Sequence, residues 1–188
     1  MIRIGILNLQ GDVSEHFQIS KKALENLKVE YQLLNVRTAE DASQCNGIII
    51  SGGESTVIGK LMVENRIKDI ILQNKIPIFG TCAGMVLLAK ETDYEQPLLE
   101  LMDMKVKRNA FGRQKDSFEQ EIDILGGKYT GVFIRAPAIE KVGEDVQIIS
   151  KIDDIIIGVK QGKNMALAFH PELTEDTRLH EYFIKEVL

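Results

Sequence analysis

Cys82 stands between two glycines in the segment 79–84, Phe-Gly-Thr-Cys-Ala-Gly. An apolar run at 76–79 precedes it, and a helical pattern at 85–90 follows. This spacing is typical of a nucleophile elbow, a sharp strand-to-helix turn that lifts the nucleophile above a sheet. Free N–H groups at the start of the helix would favour the thiolate. A lone cysteine is more often a buried structural residue, so the flanking strand and helix are what favour a nucleophile.

A thiolate nucleophile needs a general base and a group that orients this base. His170 follows the apolar run 165–169 and is itself followed by Pro171 and Glu172. In an extended segment, residues i and i+2 project to the same side. We therefore expect Glu172 to bond one nitrogen of His170 while the other faces Cys82. His-Pro-Glu alone is more commonly the start of a loop, and its place after a strand favours a Cys-His-Glu triad.

The remaining histidines and the second cysteine lack such partners. His16 and His180 lie within helical patterns, and we expect them at the surface or in helix packing. Cys45 lies in a polar stretch and is expected to be an inert thiol. Two cysteines cannot form a disulfide framework, and no Cys/His cluster has zinc-ligand spacing. We expect neither a metal nor a cofactor.

A glycine pair, Gly52 and Gly53, lies between a predicted strand and a predicted helix. Backbone N–H groups exposed there can cradle a phosphate or stabilise an oxyanion. The Gly-x-x-x-x-Gly-Lys-Ser/Thr phosphate pattern is absent, so Gly53 fits an oxyanion donor better. Ser55 is a rival nucleophile, but it lacks the elbow, and a role as helix N-cap explains it. Together these residues indicate acyl transfer from an amide or ester through a thioester.

The elements that carry these residues alternate between strand and helix in the first half of the chain. Strands are predicted at 2–7, 30–34, 47–50 and 76–79, and helices at 14–27, 55–73 and 85–90. This alternation of uninterrupted apolar strands with helices predicts an α/β fold, a mostly parallel sheet covered on both faces. Ligands of such sheets bind at the carboxyl ends of the strands.

Shorter strands dominate the second half. They are predicted at 132–134, 146–149, 155–160 and 165–169, and a closing helix at 176–187. Gly- and Asp-bearing turns between them predict a mixed or antiparallel edge of the sheet. We find no repeat, linker or low-complexity tract, so we expect one domain over 1–188.

Composition narrows the class of protein. The 188 residues are 44% hydrophobic and 27% charged, with 15 Gly and 4 Pro, which excludes collagen-like and disordered proteins. A net charge of −5 gives no electrostatic footprint for nucleic acid or an anionic membrane. The apolar runs are far shorter than the roughly 20 residues that span a bilayer, and the N-terminus has no basic signal region. We expect a soluble, reduced, cytoplasmic protein.

Segments 79–84 and 170–172 resemble the class I, triad-type glutamine amidotransferases. Within that class, five segments resemble the glutaminase subunits of pyridoxal 5′-phosphate synthases. They are Leu-Gln-Gly-Asp at 9–12, Gly-Gly-Glu-Ser-Thr at 52–56, Arg-Asn-Ala-Phe-Gly-Arg-Gln at 108–114, Phe-Ile-Arg-Ala-Pro at 133–137 and Phe-His-Pro-Glu-Leu-Thr at 169–174. The segments at 108–114 and 133–137 are more specific than the triad, which many amidotransferases share.

The resemblance implies a three-layer, flavodoxin-like fold and hydrolysis of L-glutamine to L-glutamate and ammonia. The ammonia would pass through a channel to a (β/α)8-barrel synthase subunit, within a large hetero-oligomer that makes pyridoxal 5′-phosphate (vitamin B6). By motif match, Cys82, His170 and Glu172 are catalytic. Thiolate attack on the carboxamide places charge on its oxygen, and we expect the N–H groups of Gly53 and Ala83 to stabilise this charge. The residues implied to bind L-glutamine are Gly52, Gly53, Glu54, Ser55, Arg108, Ile134 and Arg135. An arginine could hold the substrate α-carboxylate through a bidentate fork.

The chain departs from the family pattern at Asn8, Asp12 and Ser51. We expect the first two to affect docking, and Ser51 to change loop stiffness, with the mechanism intact. Three other functions stay open: a stand-alone cysteine hydrolase or peptidase on the same scaffold, a catalytically silent binding or regulatory subunit, and the glutaminase of another biosynthetic complex. The segment at 108–114 argues against the last.

Overall fold

A computed structural model of the chain describes residues 1–111 and 117–188. Residues 112–116, which include the Gly-Arg-Gln end of the segment 108–114, lie outside the described residues. The strands are β1 (Ile2–Leu7), β2 (Tyr31–Val36), β3 (Gly47–Ile50), β4 (Ile78–Thr81), β5 (Ala89–Thr92), β6 (Met102–Lys107), β7 (Ser117–Ile124), β8 (Gly127–Ile134), β9 (Ala138–Val142), β10 (Gln147–Ile152), β11 (Ile155–Gln161) and β12 (Asn164–Leu167). The helices are α1 (Val13–Leu27), α2 (Ala39–Ser43), α3 (Ser55–Glu64), α4 (Ile67–Asn74), α5 (Ala83–Leu88) and α6 (Arg178–Val187).

The main sheet has the order β2-β1-β3-β4-β12-β11-β9-β6-β5, with β10 paired to β11. Its first five strands pair in parallel, and β11 and β9 bring in antiparallel pairing. The β1-to-β2 and β3-to-β4 connections step in opposite directions along the sheet. Because such crossovers are right-handed, α1 covers one face while α3 and α4 cover the other. The predicted α/β class with a mixed edge is confirmed.

The parallel half of the sheet holds the core. Every residue of β3 and β4 is buried, and the apolar side chains Ile48, Ile49 and Ile50 have no exposed surface. Strands covered on both faces form continuous apolar runs in the sequence. Such runs located β1 and β3 at their observed bounds. Within the described residues, no helix combines the length and apolar character needed to cross a bilayer.

The single helix predicted over 55–73 is wrong. The structure has two helices there, separated at Arg66, which adopts a left-handed conformation with φ of 57°. Ile58 and Met62 are buried at a spacing of four, whereas the next buried residue is Ile67. One continuous helix would rotate Ile67 away from this stripe, so the break restores the apolar face of α4.

Candidate active site

Cys82 lies in the turn that joins two elements, because β4 ends at Thr81 and α5 begins at Ala83. Its backbone has φ of 52° and ψ of −107°, a conformation that non-glycine residues rarely adopt. The Cys82 N–H donates to the Leu167 carbonyl of β12 over 2.8 Å. The neighbouring strand thus holds the strained residue, and its half-buried thiol lies at the carboxyl edge of the sheet.

Two glycines make this turn sterically accessible. A Cβ added to Gly80 would lie 2.5 Å from the Gly84 backbone, and one added to Gly84 would collide with the Ile50 carbonyl. Neither obstacle is a flexible side chain that can move aside. The structure therefore requires glycine on both sides of Cys82, for the steric reason that the elbow spacing predicts.

The second strand of the site sets the position of His170. β12 runs parallel to β4 with Leu167 opposite Thr81, so the chain leaves both strands at the same edge. Nδ1 of His170 lies 2.6 Å from Oε1 of Glu172, and both side chains are buried. The segment is not extended as expected, since Pro171–Leu173 forms a 3-10 turn. The turn brings the two side chains together by a different geometry.

The hairpin of β7 and β8 contacts both His170 and Cys82 through carbonyl groups of β8. The Val132 carbonyl accepts the His170 N–H over 2.8 Å, and the Ile134 carbonyl lies 4.0 Å from the Cys82 sulfur. Alternate carbonyls of β8 thus contact the proposed base and the proposed nucleophile.

The charge state of His170 follows from its neighbours. Burial acts to lower its pKa, but interactions with Cys82 and Glu172 outweigh burial and raise the pKa to about 10. Burial raises the pKa of Glu172, while its bond to His170 acts in the opposite direction. Nε2 of His170 is buried and has no nitrogen or oxygen partner among the described residues. Because Cys82 is one of the two groups that raise the pKa of His170, this unpaired nitrogen is the one available for proton exchange with the thiol in a thiolate mechanism.

Sequence reasoning missed a second buried cluster behind the triad. His16 and His180 have no exposed surface. Of the two positions that we expected for them, the surface is therefore wrong and packing between helices is right. Nε2 of His16 lies 3.0 Å from the Thr81 hydroxyl and 3.3 Å from Oε2 of Glu172, and its Nδ1 lies 3.0 Å from Nε2 of His180. Burial lowers the pKa of His16 well below its ordinary range and that of His180 to about 3.

A signal for this cluster was present in the helical spacing of α1. His16 lies three residues before Ile19 and seven before Ala23, both of which are buried. Residues at this spacing share one helix face, so His16 belonged with the apolar stripe that faces the sheet.

The glycine pair lies against the triad. A Cβ on Gly52 would lie 2.5 Å from the His170 ring, and one on Gly53 would lie 2.5 Å from Oε1 of Gln10. Gly53 has φ of 138°, a conformation that favours glycine. The same Gln10 oxygen accepts the Glu54 N–H over 2.8 Å. Gln10 therefore fixes the loop that faces the thiol, a role that its position in the sequence did not reveal.

Ser55 does not act as the N-cap that we expected. The N-cap of α3 is Glu54, and the buried Ser55 hydroxyl donates to Oε1 of Gln96 over 3.0 Å. Its partner among the described residues is an amide and not a general base, so the side chain supports the wall of the site and is a poor rival to Cys82.

Cys82 opens into a cavity of about 220 Å³. The residues that line it are Gly53, Glu54, Ser55, Cys82, Ala83, Val86, Arg108, Asn109, Arg135 and Pro137. The structure therefore brings most of the implied glutamine-binding residues to one cavity. Gly52 lies behind it against His170, and Ile134 contributes its carbonyl beside the sulfur.

Two arginines give the cavity a positive side. Arg108 lies over the Tyr94 ring, 4.4 Å from its centre, and its Nε is 3.4 Å from a carboxylate oxygen of Asp93. Arg135 is exposed and has φ of 42°. A cavity with guanidinium groups on one side and a thiol on another can hold a carboxylate while the thiol attacks a carbonyl elsewhere in the same molecule.

Asp12, which we expected to affect docking, lies beside the proposed catalytic base His170. Its Oδ2 is 3.6 Å from Nδ1 of His170, on the same nitrogen that contacts Glu172. Asp12, His170 and Glu172 place three ligand atoms within 4.8 Å of one another. The His170 nitrogen among them already carries the proton that bonds Glu172, so these residues favour an ion pair over a metal site.

Comparison with known proteins identifies the family. Residues 6–188 match the SNO glutamine amidotransferase family. The pyridoxal 5′-phosphate synthase subunit PdxT of Methanothermobacter thermautotrophicus is 68% identical over 188 residues, which cover 100% of this chain and 98% of that protein. The PdxT of Pyrococcus furiosus is 45% identical over 197 residues and is covered fully, as is this chain.

Solved structures agree with this assignment. A crystal structure of a glutamine amidotransferase superposes with a TM-score of 0.87 at 44% identity, covering 98% of each chain. A glutamine amidotransferase from Thermotoga maritima, with a TM-score of 0.61 at 15% identity, covers 99% of this chain and 84% of its own, and shows the fold alone. The expected class I amidotransferase fold is confirmed, and the chain belongs to the SNO glutamine amidotransferase family.

Proposed function

We propose that this chain hydrolyses L-glutamine to L-glutamate and ammonia and delivers the ammonia to a synthase that makes pyridoxal 5′-phosphate. It is a glutamine amidotransferase by family, and relatives at 45–68% identity bear the name of a pyridoxal 5′-phosphate synthase subunit. The observation that carries the proposal is the pairing of His170 with Glu172 beside Cys82, at a cavity with two arginines.

In the first half of the reaction, the Cys82 thiolate attacks the carboxamide carbon of glutamine. Negative charge develops on the amide oxygen, which the N–H groups of Gly53 and Ala83 stabilise. The His170 imidazolium then donates its Nε2 proton to the leaving nitrogen. The carbon–nitrogen bond breaks, ammonia leaves, and a γ-glutamyl thioester stays on Cys82.

In the second half, neutral His170 accepts a proton from water, and the resulting hydroxide attacks the thioester carbon. Collapse of this second tetrahedral species expels the Cys82 thiolate and releases glutamate. Glu172 holds the ring in one orientation and stabilises the imidazolium that each half-reaction needs.

Substrate recognition uses the charged lining of the cavity. Arg108 and Arg135 supply the cations for the α-carboxylate of glutamine. Glu54, which lies in the same lining, supplies an anion for its α-ammonium group. The Ile134 carbonyl and the Gly52–Gly53 backbone leave room for the carboxamide between the thiol and the loop.

The partner is a (β/α)8-barrel synthase subunit in a hetero-oligomer. Ammonia released into water becomes protonated and loses its nucleophilic lone pair, so hydrolysis is useful only when it is coupled to a closed passage. We assign the chain to the cytoplasm because Cys45 and Cys82 are free thiols, which reducing compartments preserve. One continuous hydrophobic cluster supports a single domain over 1–188.

The decisive experiment measures glutamate release from L-glutamine with and without a purified barrel subunit. We expect release to rise strongly with the barrel subunit, Cys82→Ala to abolish it, and Cys45→Ala to retain it. Cys45 is the matched control because it is buried, and burial and Asp41 raise its pKa to about 12.

Other outcomes point to the alternatives. Equal activity without the barrel subunit would favour a stand-alone hydrolase. Activity in Cys82→Ala would contradict the assigned nucleophile, and inactivity of the wild-type chain under both conditions would favour a silent binding subunit.

A further inference from the structure

The carboxylate of Glu172 has a second oxygen that the triad does not use. Oε1 bonds His170, whereas Oε2 is buried and has no partner of standard geometry among the described residues. Nε2 of His16 lies 3.3 Å from this oxygen, and the side chains of His16 and Glu172 have no exposed surface. A buried carboxylate oxygen without a donor is costly. The arrangement therefore favours a proton on the His16 nitrogen that faces it.

The tautomer of His16 follows from its neighbours. With the proton on Nε2, the bare Nδ1 accepts from His180, whose Nε2 lies 3.0 Å away. The opposite tautomer would turn a nitrogen lone pair towards the Glu172 carboxylate, which is electrostatically unfavourable. Burial keeps both rings neutral, so each has one proton to place. His180 thus donates to His16, and the His16 Nε2–H lies between the Thr81 hydroxyl at 3.0 Å and Oε2 of Glu172 at 3.3 Å.

The same His16 nitrogen also contacts the strand that leads to the nucleophile. Nε2 of His16 is 3.0 Å from the hydroxyl of Thr81, the residue that precedes Cys82 in β4. His16 comes from α1 and His180 from α6, helices that pack together. This chain of side chains therefore links two helices to β4 and to the residue that orients His170.

We propose that His16 is a positioning residue of the glutaminase reaction: its Nε2–H, fixed by a donor bond from His180 and shared between the Thr81 hydroxyl and Oε2 of Glu172, restrains Glu172 and thereby the orientation of the His170 ring. The role of the bond in turnover rests on the proposed function. The tautomers themselves depend only on the fold, so they can be tested separately.

The first test reads the tautomers directly. The chain has three histidines, so ¹⁵N labelling of histidine gives three rings in a long-range ¹H–¹⁵N spectrum, assigned with His16→Gln and His180→Gln. We expect protonated Nε2 and bare Nδ1 for His16 and His180, and two protonated nitrogens for His170. A bare Nε2 on His16 would overturn the proposal whatever the enzyme does.

The second test separates positioning from stability, with glutaminase kinetics measured in the presence of the barrel subunit. His16→Leu should lower kcat roughly 10- to 100-fold, the loss that small misplacements cause, with KM within about twofold. His16→Gln places an amide donor near the Nε2 position and should recover most of kcat. Leu24→Ala is the matched control: Leu24 is fully buried in the same helix, and its loss should lower the melting temperature while kcat stays unchanged.

The results distinguish the two proposals. Wild-type kcat in folded His16→Leu would overturn the positioning role, as would equal kcat losses in His16→Leu and His16→Gln. If His16→Leu does not fold, the kinetics of His16→Gln and the tautomer spectrum still test the positioning role of His16. If the wild-type enzyme releases no glutamate, the proposed function fails, and the rate of Cys82 alkylation by iodoacetamide replaces kcat. That rate should fall in His16→Leu and recover in His16→Gln.

Discussion

At the scale of single residues, reactivity comes from side chains held in conformations that they would not adopt alone. Cys82 occupies a strained backbone conformation, and its N–H bond to Leu167 helps to hold it there. His170 is a cation inside the protein because Cys82 and Glu172 outweigh the effect of burial. The elbow and the His-Pro-Glu segment were readable from the sequence because each is local. Gln10 was not, since its contact is with Glu54, far away along the chain. The burial of His16 was readable from the spacing of α1, but its contact with Glu172 was not.

Glu172→Gln should lower kcat by roughly 10²- to 10⁴-fold, as loss of the triad carboxylate does elsewhere. The amide oxygen can still accept from His170 only if its NH₂ group turns towards the Nε2 of His16, where two donors would meet. Steady-state kinetics with the barrel subunit measures the effect, and KM should change little. Glu175→Gln is the matched control, since Glu175 is exposed and pairs with Lys22. An unchanged kcat in Glu172→Gln would remove this residue from the mechanism.

At the scale of elements, strand prediction was most accurate for strands buried on both faces, and every strand that it missed has partly exposed residues. β1 and β3 are continuous buried runs and were located at their bounds. β6, by contrast, alternates between buried and partly exposed residues with charged side chains, and it was missed together with β5, β7 and β9. The break between α3 and α4 was also missed, because Arg66 adopts the left-handed conformation that usually signals glycine.

Lys75→Gly should stabilise the protein by roughly 0.5–1 kcal/mol. Lys75 ends α4 with φ of 51° and is exposed, and glycine removes the penalty for a Cβ at this position. Lys60→Gly is the matched control: Lys60 is exposed in the interior of α3, where glycine should cost about 1 kcal/mol. Urea unfolding of both variants measures the free energies, and destabilisation by Lys75→Gly would contradict the prediction.

At the scale of the whole molecule, the site exists because separate layers meet at one edge of the sheet. β4 carries Cys82, β12 leads to His170, the β8 carbonyls contact both, and α1 and α6 supply the histidines behind them. The sequence could predict the parallel half of this arrangement from periodicity. It could not predict the contact between His16 and His180, which depends on how α1 and α6 pack.

The neutral histidines make stability depend on pH. The pKa of His180 is about 3 in the folded protein and 6.5 as its ordinary value, so the unfolded chain binds more protons between these values. Stability is therefore lost as pH falls from about 6.5 towards about 3, by at most about 1.4 kcal/mol per pH unit for this group. His170 acts in the other direction: its pKa of about 10 gives stability that is lost as pH rises from about 6.5.

His180→Gln isolates the first effect, because glutamine keeps a donor towards His16 but does not titrate. The free energy of unfolding, measured in urea at pH 5, 6, 7 and 8, should fall less steeply with acid in the variant than in the wild type. The loss of stability above pH 7 should be the same in both proteins. Parallel curves between pH 5 and 6.5 would show that His180 is not held neutral by the fold.

The pairing of β4 with β12 also has a consequence for biosynthesis. The ribosome makes Cys82 well before it makes His170, and the strand that holds the cysteine backbone in its reactive conformation is synthesised late as well. A nascent or interrupted chain thus carries the thiol without His170. On the proposed mechanism, hydrolysis of glutamine has to wait until β12 has joined the sheet, and unfinished translation products would not consume glutamine.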